Sequence, residues 1–325
     1  MNKKAFDIQF SECPALIKDF LNYYGSIKER ANSTVQAYYR DLKIFFLYIL
    51  EKQEVISKDE NDYKSLNKLT LDIIKSITRD DVIQYLYYRK KEINNSPATR
   101  SHHLTVLRKY FNYMYSYKKV IDTNPLENIS NPKKKKSLPK HLTLDESLKL
   151  LNSVNTNFTT RDYCILTFFL NCGFRLSELV SINVTDIRNN GEVKILGKGN
   201  KERVVFLNNA CIKALKDYLS ERSEIENLID REALFVSRKT RKRLTPRAVE
   251  KIVSKCLVSA GLGNKGYSTH KLRHTAATLM YQNGTDVRAL QEVLGHSSLE
   301  TTQIYTHVAN EQVKDAVKNN PLADV

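Results

Sequence analysis

Apolar residues recur at helical spacing through the first 119 residues of the chain. In the segment ANSTVQAYYRDLKIFFLYILEK, Ser33 stands three residues before Gln36, which is the spacing of a capping box at the start of a helix. One face of the predicted helix is apolar and should pack against other helices. The residues on that face are Val35, Tyr39, Leu42 and Phe46.

A second long helix is predicted over SPATRSHHLTVLRKYFNYMYSYKK, with Ser96 as its N-cap and Pro97 as its first helical residue. Two further amphipathic segments, PALIKDFLNYYGSI and ITRDDVIQYLYYRKKE, complete a small predicted bundle. The polar stretch QEVISKDENDYKSLNK, between the second and third helices, is predicted as an extended loop or an insertion. The buried stripe of the second long helix should consist of Leu104, Leu107, Phe111 and Met114.

The pattern changes from Thr143 onward. The segment TLDESLKLL begins with a capping box from Thr143 to Glu146, and TRDYCILTFFLNCGF predicts a buried helix that ends at Gly173. The segment EVKILGKGNKERVVFL contains two β-rich runs around a Gly-rich tip, which is typical of a hairpin, and EALFVS predicts a further strand. Later helices are expected to begin at Thr245-Pro246, Thr285 and Ser298.

The two halves are separated by DTNPLENISNPKKKKSLPKHL, a stretch with three prolines and a run of lysines. This composition predicts an extended linker. We therefore predict a mainly α protein with an N-terminal helical domain over 1–122, a linker over 123–142, and a C-terminal, mostly helical domain with a small β element over 143–325.

The charge of the chain indicates a polyanionic partner. Lys and Arg number 52 against 36 Asp and Glu, which gives a formal net charge of +16. Nucleic acid is the leading candidate partner and an anionic membrane surface the second. A lysine run is ordinarily a solvated surface. In so basic a protein, however, we interpret the run as a contact with nucleic-acid phosphates, made by Lys133, Lys134, Lys135 and Lys136.

Neither a membrane span nor a disulfide framework is expected. The chain has no run of about 18 apolar residues, and its N-terminus lacks the continuous apolar stretch of a signal peptide. The five cysteines are scattered and form no CxxC pair. Buried free thiols in a reducing cytoplasm are therefore predicted.

The spacing of two histidines raises the possibility of a zinc site. His270 and His274 are spaced i, i+4, as in a helical zinc motif, but Lys271 stands where that motif needs a glutamate base. Arg273, between the two histidines, would repel a divalent cation. We therefore expect neither a metal nor any other cofactor.

Six residues together suggest a different chemistry. Two arginines can chelate the non-bridging oxygens of one phosphate and stabilise the charge that grows there during nucleophilic attack. Tyrosine is a feasible nucleophile, and a lysine at a hairpin tip can protonate the departing alkoxide. Each residue taken alone has a plainer reading, as a packing residue or a simple phosphate contact. The combination describes metal-free phosphodiester transesterification, and its candidates are Arg175, Lys198, His270, Arg273, His296 and Tyr305.

The motifs GFRLSEL, GKGNKERVVFL, HKLRHTAATLM and VLGHSSLETTQIYTHV resemble those of the tyrosine recombinases, and most of all the Xer branch. The resemblance covers nearly the whole chain and implies a role for each candidate. Tyr305 would be the nucleophile, and Arg175 and Arg273 the phosphate clamp. Lys198 would be the general acid for the leaving 5′ oxygen. His270 would act as general base or hydrogen-bonding partner, and His296 would support the phosphate.

The resemblance also implies an architecture and a partner. The two domains would form a C-shaped clamp on double-stranded DNA that carries an inverted-repeat core site. A homo- or hetero-tetramer would act on two such sites through 3′-phosphotyrosyl links and a Holliday junction, with neither ATP nor metal. A translocase or accessory protein would be an additional partner.

Several functions stay open from the sequence. Xer-like resolution of chromosome or plasmid dimers is the first. The long region EKQEVISKDENDYKSLNKLTLDIIKS also leaves room for integration or excision of a mobile element. A type IB topoisomerase would use a similar set of residues. A DNA-binding protein without catalysis would explain the charge, but it would give no reason for the nucleophile and the clamp to occur together.

Overall fold

The computed structural model describes residues 13–60, 64–132, 140–156, 158–188, 190–196 and 202–295. The chain divides into two compact units, Met1–Lys136 and Ser137–Val325, each with a hydrophobic core of its own. The division falls within the stretch 123–142 that the sequence predicts as a linker. Because each core is closed within one unit, the two units are described separately.

The N-terminal unit is a helical bundle whose two longest helices are those predicted from the sequence. A π-helical turn, Tyr23–Ile27, follows the first helix, and another, Tyr113–Tyr117, follows the last. The helices are α1 (Ala15–Asn22), α2 (Asn32–Lys52), α3 (Leu71–Ser76), α4 (Arg79–Lys91) and α5 (Pro97–Asn112).

The predicted apolar stripes are confirmed. Ser96 caps α5 by accepting a hydrogen bond from the backbone N–H of Thr99 at 3.1 Å. The predicted capping box at Ser33 is wrong, because α2 begins at Asn32 with Ala31 as its N-cap. Ser33 therefore lies inside the first turn, where its hydroxyl cannot take the capping position. Every predicted stripe residue is buried: Val35, Tyr39, Leu42, Phe46, Leu104, Leu107, Phe111 and Met114.

The polar stretch after α2 is not an extended loop. It contains the short 3₁₀ turns Lys58–Glu60 and Lys64–Lys68, and α3 follows shortly after them. Ile56 and Leu66 are buried in the core of the bundle. These two apolar side chains, in a mostly polar stretch of the sequence, hold the segment against the bundle.

The C-terminal unit is mostly helical and carries one two-stranded antiparallel sheet among its described residues. The predicted hairpin is confirmed, with Ile195 paired to Arg203 and Val193 to Val205. Its elements are α6 (Leu144–Asn152), α7 (Thr159–Cys172), α8 (Leu176–Ser181), β1 (Glu192–Leu196), β2 (Glu202–Phe206), α9 (Asn209–Ser223), α10 (Pro246–Ser259), α11 (Thr269–Gln282) and α12 (Val287–Leu294).

Two local predictions in this unit are wrong. The segment EALFVS is not a strand, and it makes only isolated bridges among the described residues, such as that from Ala233 to Asn183. The Tyr218 hydroxyl donates to the Leu234 carbonyl and accepts from the Val236 N–H. A side chain therefore makes hydrogen bonds with two backbone groups that would otherwise bond to a neighbouring strand. Similarly, α12 is capped by Asp286 and not by Thr285. The predicted start at Ser298 lies outside the described residues.

Other features agree with the sequence. The capping box from Thr143 to Glu146 is present, and Thr245 caps α10. All five cysteines are buried free thiols, as predicted. Along the described part of the chain, the helices are too short or too polar for a bilayer crossing.

Candidate active site

The structure describes three of the six predicted catalytic residues, Arg175, His270 and Arg273. The other three, Lys198, His296 and Tyr305, lie outside the described residues, as do the predicted DNA contacts Lys133, Lys134, Lys135 and Lys136. The site is therefore built from the arginines, His270 and the groups that hold them.

Arg175 is placed by the turn between α7 and α8. Gly173 ends α7 in the left-handed region, with φ +62°, and Arg175 is the N-cap of α8. A Cβ at Gly173 would come within 2.8 Å of Leu294 Cδ2, so glycine is needed here both for the turn and for the close approach of α12. This turn directs Arg175 toward the end of α12, where its Nη2 donates to the Gly295 carbonyl at 2.8 Å.

Arg273 lies on α11, and its side chain is 4% exposed. Its Nη1 donates to the Gly173 carbonyl at 2.7 Å and its Nη2 to the Leu294 carbonyl at 2.5 Å. The two predicted clamp residues thus donate to successive carbonyls at the end of α12, immediately before His296 in the chain. A burial this deep fixes the guanidinium and removes it from the screening of bulk water.

Glu178 is the acid that binds this cluster together, and the sequence analysis assigned it no role. Its side chain is 3% exposed, and its Oε1 accepts from Arg175 Nη1 at 2.7 Å. Its Oε2 accepts from the Arg175 backbone N–H at 2.8 Å, and Arg273 Nη1 lies 3.7 Å away. Burial alone would raise the pKa of Glu178, but hydrogen bonds from Arg203 and Arg175, with their charges, lower it to about 2. The carboxylate therefore stays ionised.

Arg203, on β2, is the second residue that the sequence analysis missed. Its Nη1 donates to Glu178 Oε1 at 2.7 Å and its Nη2 to Glu178 Oε2 at 2.9 Å. Three arginines therefore surround one carboxylate, and the cluster keeps an excess of positive charge. An excess of this kind suits an anion such as a phosphodiester.

His270 lies in the first turn of α11 and faces His274, one turn later. Its Nε2 lies 3.1 Å from the Nε2 of His274, so one ring donates to the other and the acceptor ring is neutral. Partial burial lowers the pKa of His270, and the charges of Lys271, Arg273 and Arg175 lower it further. A neutral imidazole beside the arginines can accept a proton.

A metal site does not emerge from the described residues. Within the described ranges, no three His, Cys, Asp or Glu side chains come together as ligands. His270 and His274 contact each other directly, and three guanidinium groups lie in the neighbouring cluster. This donor set fits an anion better than a cation.

Known proteins match both the sequence and the fold. Residues 140–312 match the Phage integrase family. The chain is 44% identical to the tyrosine recombinase XerC of Caldanaerobacter subterraneus subsp. tengcongensis, over 98% of this chain and 91% of that protein. It is 33% identical to the tyrosine recombinase XerD of Oceanobacillus iheyensis, over 92% of this chain and 95% of that protein.

Solved structures agree with the sequence matches. The XerH site-specific recombinase bound to palindromic difH substrate, in a post-cleavage complex, is 27% identical and matches with a TM-score of 0.68 over 94% of both chains. A lambda integrase(75–356) dimer bound to a COC′ core site has the same fold, with a TM-score of 0.67 over 90% of this chain and 94% of that one, at 18% identity. The chain therefore belongs to the phage integrase family as an Xer-like tyrosine recombinase, a site-specific enzyme that cleaves and rejoins DNA.

Proposed function

We propose that Tyr305 is the nucleophile and that Arg175 and Arg273 hold the scissile phosphate. The phenol oxygen attacks phosphorus, the bond to the 5′ oxygen breaks, and a 3′-phosphotyrosyl ester forms. Lys198 gives a proton to the leaving 5′ oxygen, and His270 takes the proton of the phenol or hydrogen-bonds to it. His296 supports the phosphate. Attack by a 5′ hydroxyl of another strand reverses the steps and rejoins the DNA.

The cluster around Glu178 is the observation that carries this proposal. Arg175 and Arg273 are held by fixed acceptors, and the three arginines outnumber the single carboxylate. A preorganised cationic site of this kind stabilises the charge that develops on the phosphate oxygens in the transition state. It serves the purpose that Mg²⁺ serves in many other phosphoryl transfers. The neutral state that the lowered pKa of His270 favours suits its part as a base.

The proposed substrate is double-stranded DNA in the cytoplasm, with an inverted-repeat core site. We place a homo- or hetero-tetramer on two such sites, exchanging strands through a Holliday junction to resolve chromosome or plasmid dimers. The XerC and XerD relatives support this role, as does the XerH structure on its difH substrate. The net charge of +16 supports a DNA partner.

The test begins with the DNA site. Genomic fragments retained by the purified protein are sequenced, and their shared inverted repeat is made as a nicked suicide duplex, called here the core-site duplex. In EDTA, the wild-type protein should form a covalent 3′ adduct that survives denaturation. Tyr305→Phe should form none, while binding the duplex nearly as well as the wild type does. An adduct formed by the Phe variant, or a requirement for Mg²⁺, would overturn the proposal.

We also propose that Lys133, Lys134, Lys135 and Lys136 bind the DNA backbone. Neutralising all four should weaken binding to every sequence and flatten the salt dependence. The slope of log Kd against log salt should fall by about 0.9 for each phosphate that the lysines no longer neutralise. Binding of the core-site duplex and of a scrambled duplex, measured from low to high salt, tests this. A slope equal to that of the wild type would mean that the lysine run does not touch DNA.

A further inference from the structure

Arg203 points inward from the β-hairpin. Along β2 it lies on the same face as the buried Val205, and its side chain is only 14% exposed. Arginine is seldom covered to this extent without a specific partner. Here the register of β2 directs the side chain inward, and the partner that it meets there is the Glu178 carboxylate.

Arg203 and Arg175 bind the Glu178 carboxylate in different ways. Arg203 takes both carboxylate oxygens through its two terminal nitrogens, at 2.7 and 2.9 Å. The Arg175 guanidinium donates one hydrogen bond, to Oε1, and the Arg175 backbone N–H donates another, to Oε2. Each oxygen thus accepts two hydrogen bonds, which matches the roughly four lone-pair sites of a carboxylate. Glu178 has no acceptor site left for a second bond from the Arg175 guanidinium.

Arg203 also packs against the end of α12. A Cβ at Gly295 would come within 2.9 Å of both Cδ and Nη1 of Arg203, so the arginine lies directly on the glycine. Gly295 has φ +62°, and its carbonyl accepts from Arg175 Nη2. Arg203 therefore borders both acceptors that hold the Arg175 guanidinium.

We propose that Arg203 is a positioning residue for Arg175: it saturates Glu178 and thereby keeps the Arg175 guanidinium from closing on the carboxylate, leaving its remaining donors for the scissile phosphate. Without Arg203, Arg175 would be the nearest cation able to pair with both oxygens, since a fork-to-fork pair is the preferred geometry of arginine and carboxylate. The Arg175 side chain is 34% exposed, so it has room to turn. This inference rests on the phosphate role proposed above for Arg175.

The experiment compares two substrates. One is the core-site duplex, and the other is the same duplex with a methylphosphonate at the scissile position. The methyl group replaces an anionic oxygen, so the arginine clamp has less charge to stabilise. Substitution of a residue that acts through the clamp should therefore slow adduct formation less on the methylphosphonate than on the phosphodiester. A residue that only supports the fold should matter equally on both substrates.

Arg203→Gln should slow single-turnover adduct formation on the phosphodiester by on the order of 10–100-fold, the usual cost of a displaced positioning group. On the methylphosphonate the slowing should fall below about threefold, because less oxyanion charge develops there. Arg203→Lys keeps the charge but lacks the fork, so it should slow the phosphodiester reaction less than Gln does. Thermal denaturation checks each variant, and Arg203→Lys carries the comparison if Arg203→Gln is unfolded.

Arg188→Gln is the matched control. Arg188 pairs with Glu192 of the same hairpin at 2.8 Å, but its side chain is mostly exposed and it has no contact with Glu178. Its loss removes one positive charge from the same unit and should leave both rates close to wild type. If Arg203→Gln slows both substrates equally, or neither, the inference is wrong.

Arg175→Ala separates this inference from the proposed function. If it too slows both substrates equally, the phosphate role of Arg175 fails, and the inference fails with it. If Arg175→Ala is selectively slow on the phosphodiester but Arg203→Gln is not, only the role of Arg203 is overturned.

Discussion

The two units fill their interiors in different ways. In the N-terminal unit aromatic rings meet edge to face, as Phe20 does with Tyr110 at 5.3 Å and Phe45 with Tyr85 at 5.1 Å. Ring pairs of this kind stabilise the bundle beyond the apolar area that they bury. The C-terminal unit has fewer such ring pairs among its described residues, for example Phe168 with Phe235, and it adds a buried network of charge centred on Glu178. This network holds charged groups in place through hydrogen bonds and ion pairs to one carboxylate.

The two units also differ in the partners of their buried acids. Asp41 in the N-terminal unit and Glu178 in the C-terminal unit are both 3% exposed. Asp41 lies 3.2 Å from His102 Nε2 and 3.7 Å from His103 Nδ1, and histidine changes charge near neutral pH. Glu178 is paired with arginines, which remain charged at every physiological pH. An arginine also lies near Asp41, where Arg40 Nε is 3.9 Å from Oδ1, but that side chain is largely exposed. The network around Glu178 instead sets three arginines against one carboxylate.

The largest expected loss of unfolding free energy distinguishes Arg273 from Arg175. Arg273→Ala leaves the Gly173 and Leu294 carbonyls without their donor in the interior, and should cost on the order of 3 kcal/mol of unfolding free energy. Arg175→Ala should cost less, about 1 kcal/mol, because Arg203 still pairs with Glu178 and the Arg175 side chain is partly exposed. Urea denaturation of both variants measures this. Equal losses of unfolding free energy would mean that both arginines contribute equally to the stability of the fold.

Two buried tyrosines provide a smaller comparison. Tyr218 in the C-terminal unit bonds to Leu234 and Val236, so Tyr218→Phe should cost about 1–3 kcal/mol. Tyr110 in the N-terminal unit is fully buried, and its hydroxyl has no hydrogen-bond partner among the described residues. Tyr110→Phe should therefore leave the unfolding free energy unchanged or raise it by about 1 kcal/mol. A large loss with Tyr110→Phe would contradict the contrast.

The smallest effect concerns pH. Burial lowers the pKa of His103 below its ordinary 6.5, although the charge of Asp41 opposes this. The unfolded chain then binds the proton more readily, so unfolding free energy should fall as the pH drops below 6.5, by at most about 1.4 kcal/mol per unit. The lowered pKa of Glu178 stabilises the fold above 4.5, and that contribution is lost only as the pH falls toward about 2. The two units thus lose stability in different windows.

His103→Gln tests the upper window. Between pH 7.5 and 5.5 its unfolding free energy should change less than that of the wild type, whereas Glu178→Gln should keep the wild-type slope over the same range. Thermal or urea denaturation at several pH values supplies the measurement. Equal slopes for His103→Gln and the wild type would mean that His103 does not contribute.

Local signals predicted most of the fold. The spacing of Leu104, Leu107 and Phe111 fixes the buried face of α5, and the hydroxyl of Ser96 marks its start. The start of α2 was misplaced because Ala31 has no capping side chain to recognise. The segment EALFVS looked like a strand because its β-forming residues give no sign that Tyr218, many residues earlier, takes two of its backbone hydrogen bonds.

Candidate site residues could be named from the sequence only where their chemistry is recognisable along the chain. Arg175, Arg273 and His270 belong to recognisable motifs, and the structure brings them together. Glu178 and Arg203 were missed because their roles arise from a contact between residues 25 apart in sequence. Two weak signals were present: an acid at the third position after the predicted helix restart, and an arginine two residues before Val205, hence on the same inward face of the strand.

We propose that the arginines of the C-terminal unit stabilise the reacting phosphate and are not merely contacts for DNA. The most direct test measures Arg175→Ala on the core-site duplex, as the single-turnover cleavage rate at saturating protein and as Kd. The rate should fall by on the order of 10²–10³, the usual loss for a transition-state oxyanion partner. Kd should rise by no more than about tenfold, equivalent to 1.4 kcal/mol. A wild-type rate at saturation with a much weakened Kd would mean that Arg175 only binds DNA and does not stabilise the transition state.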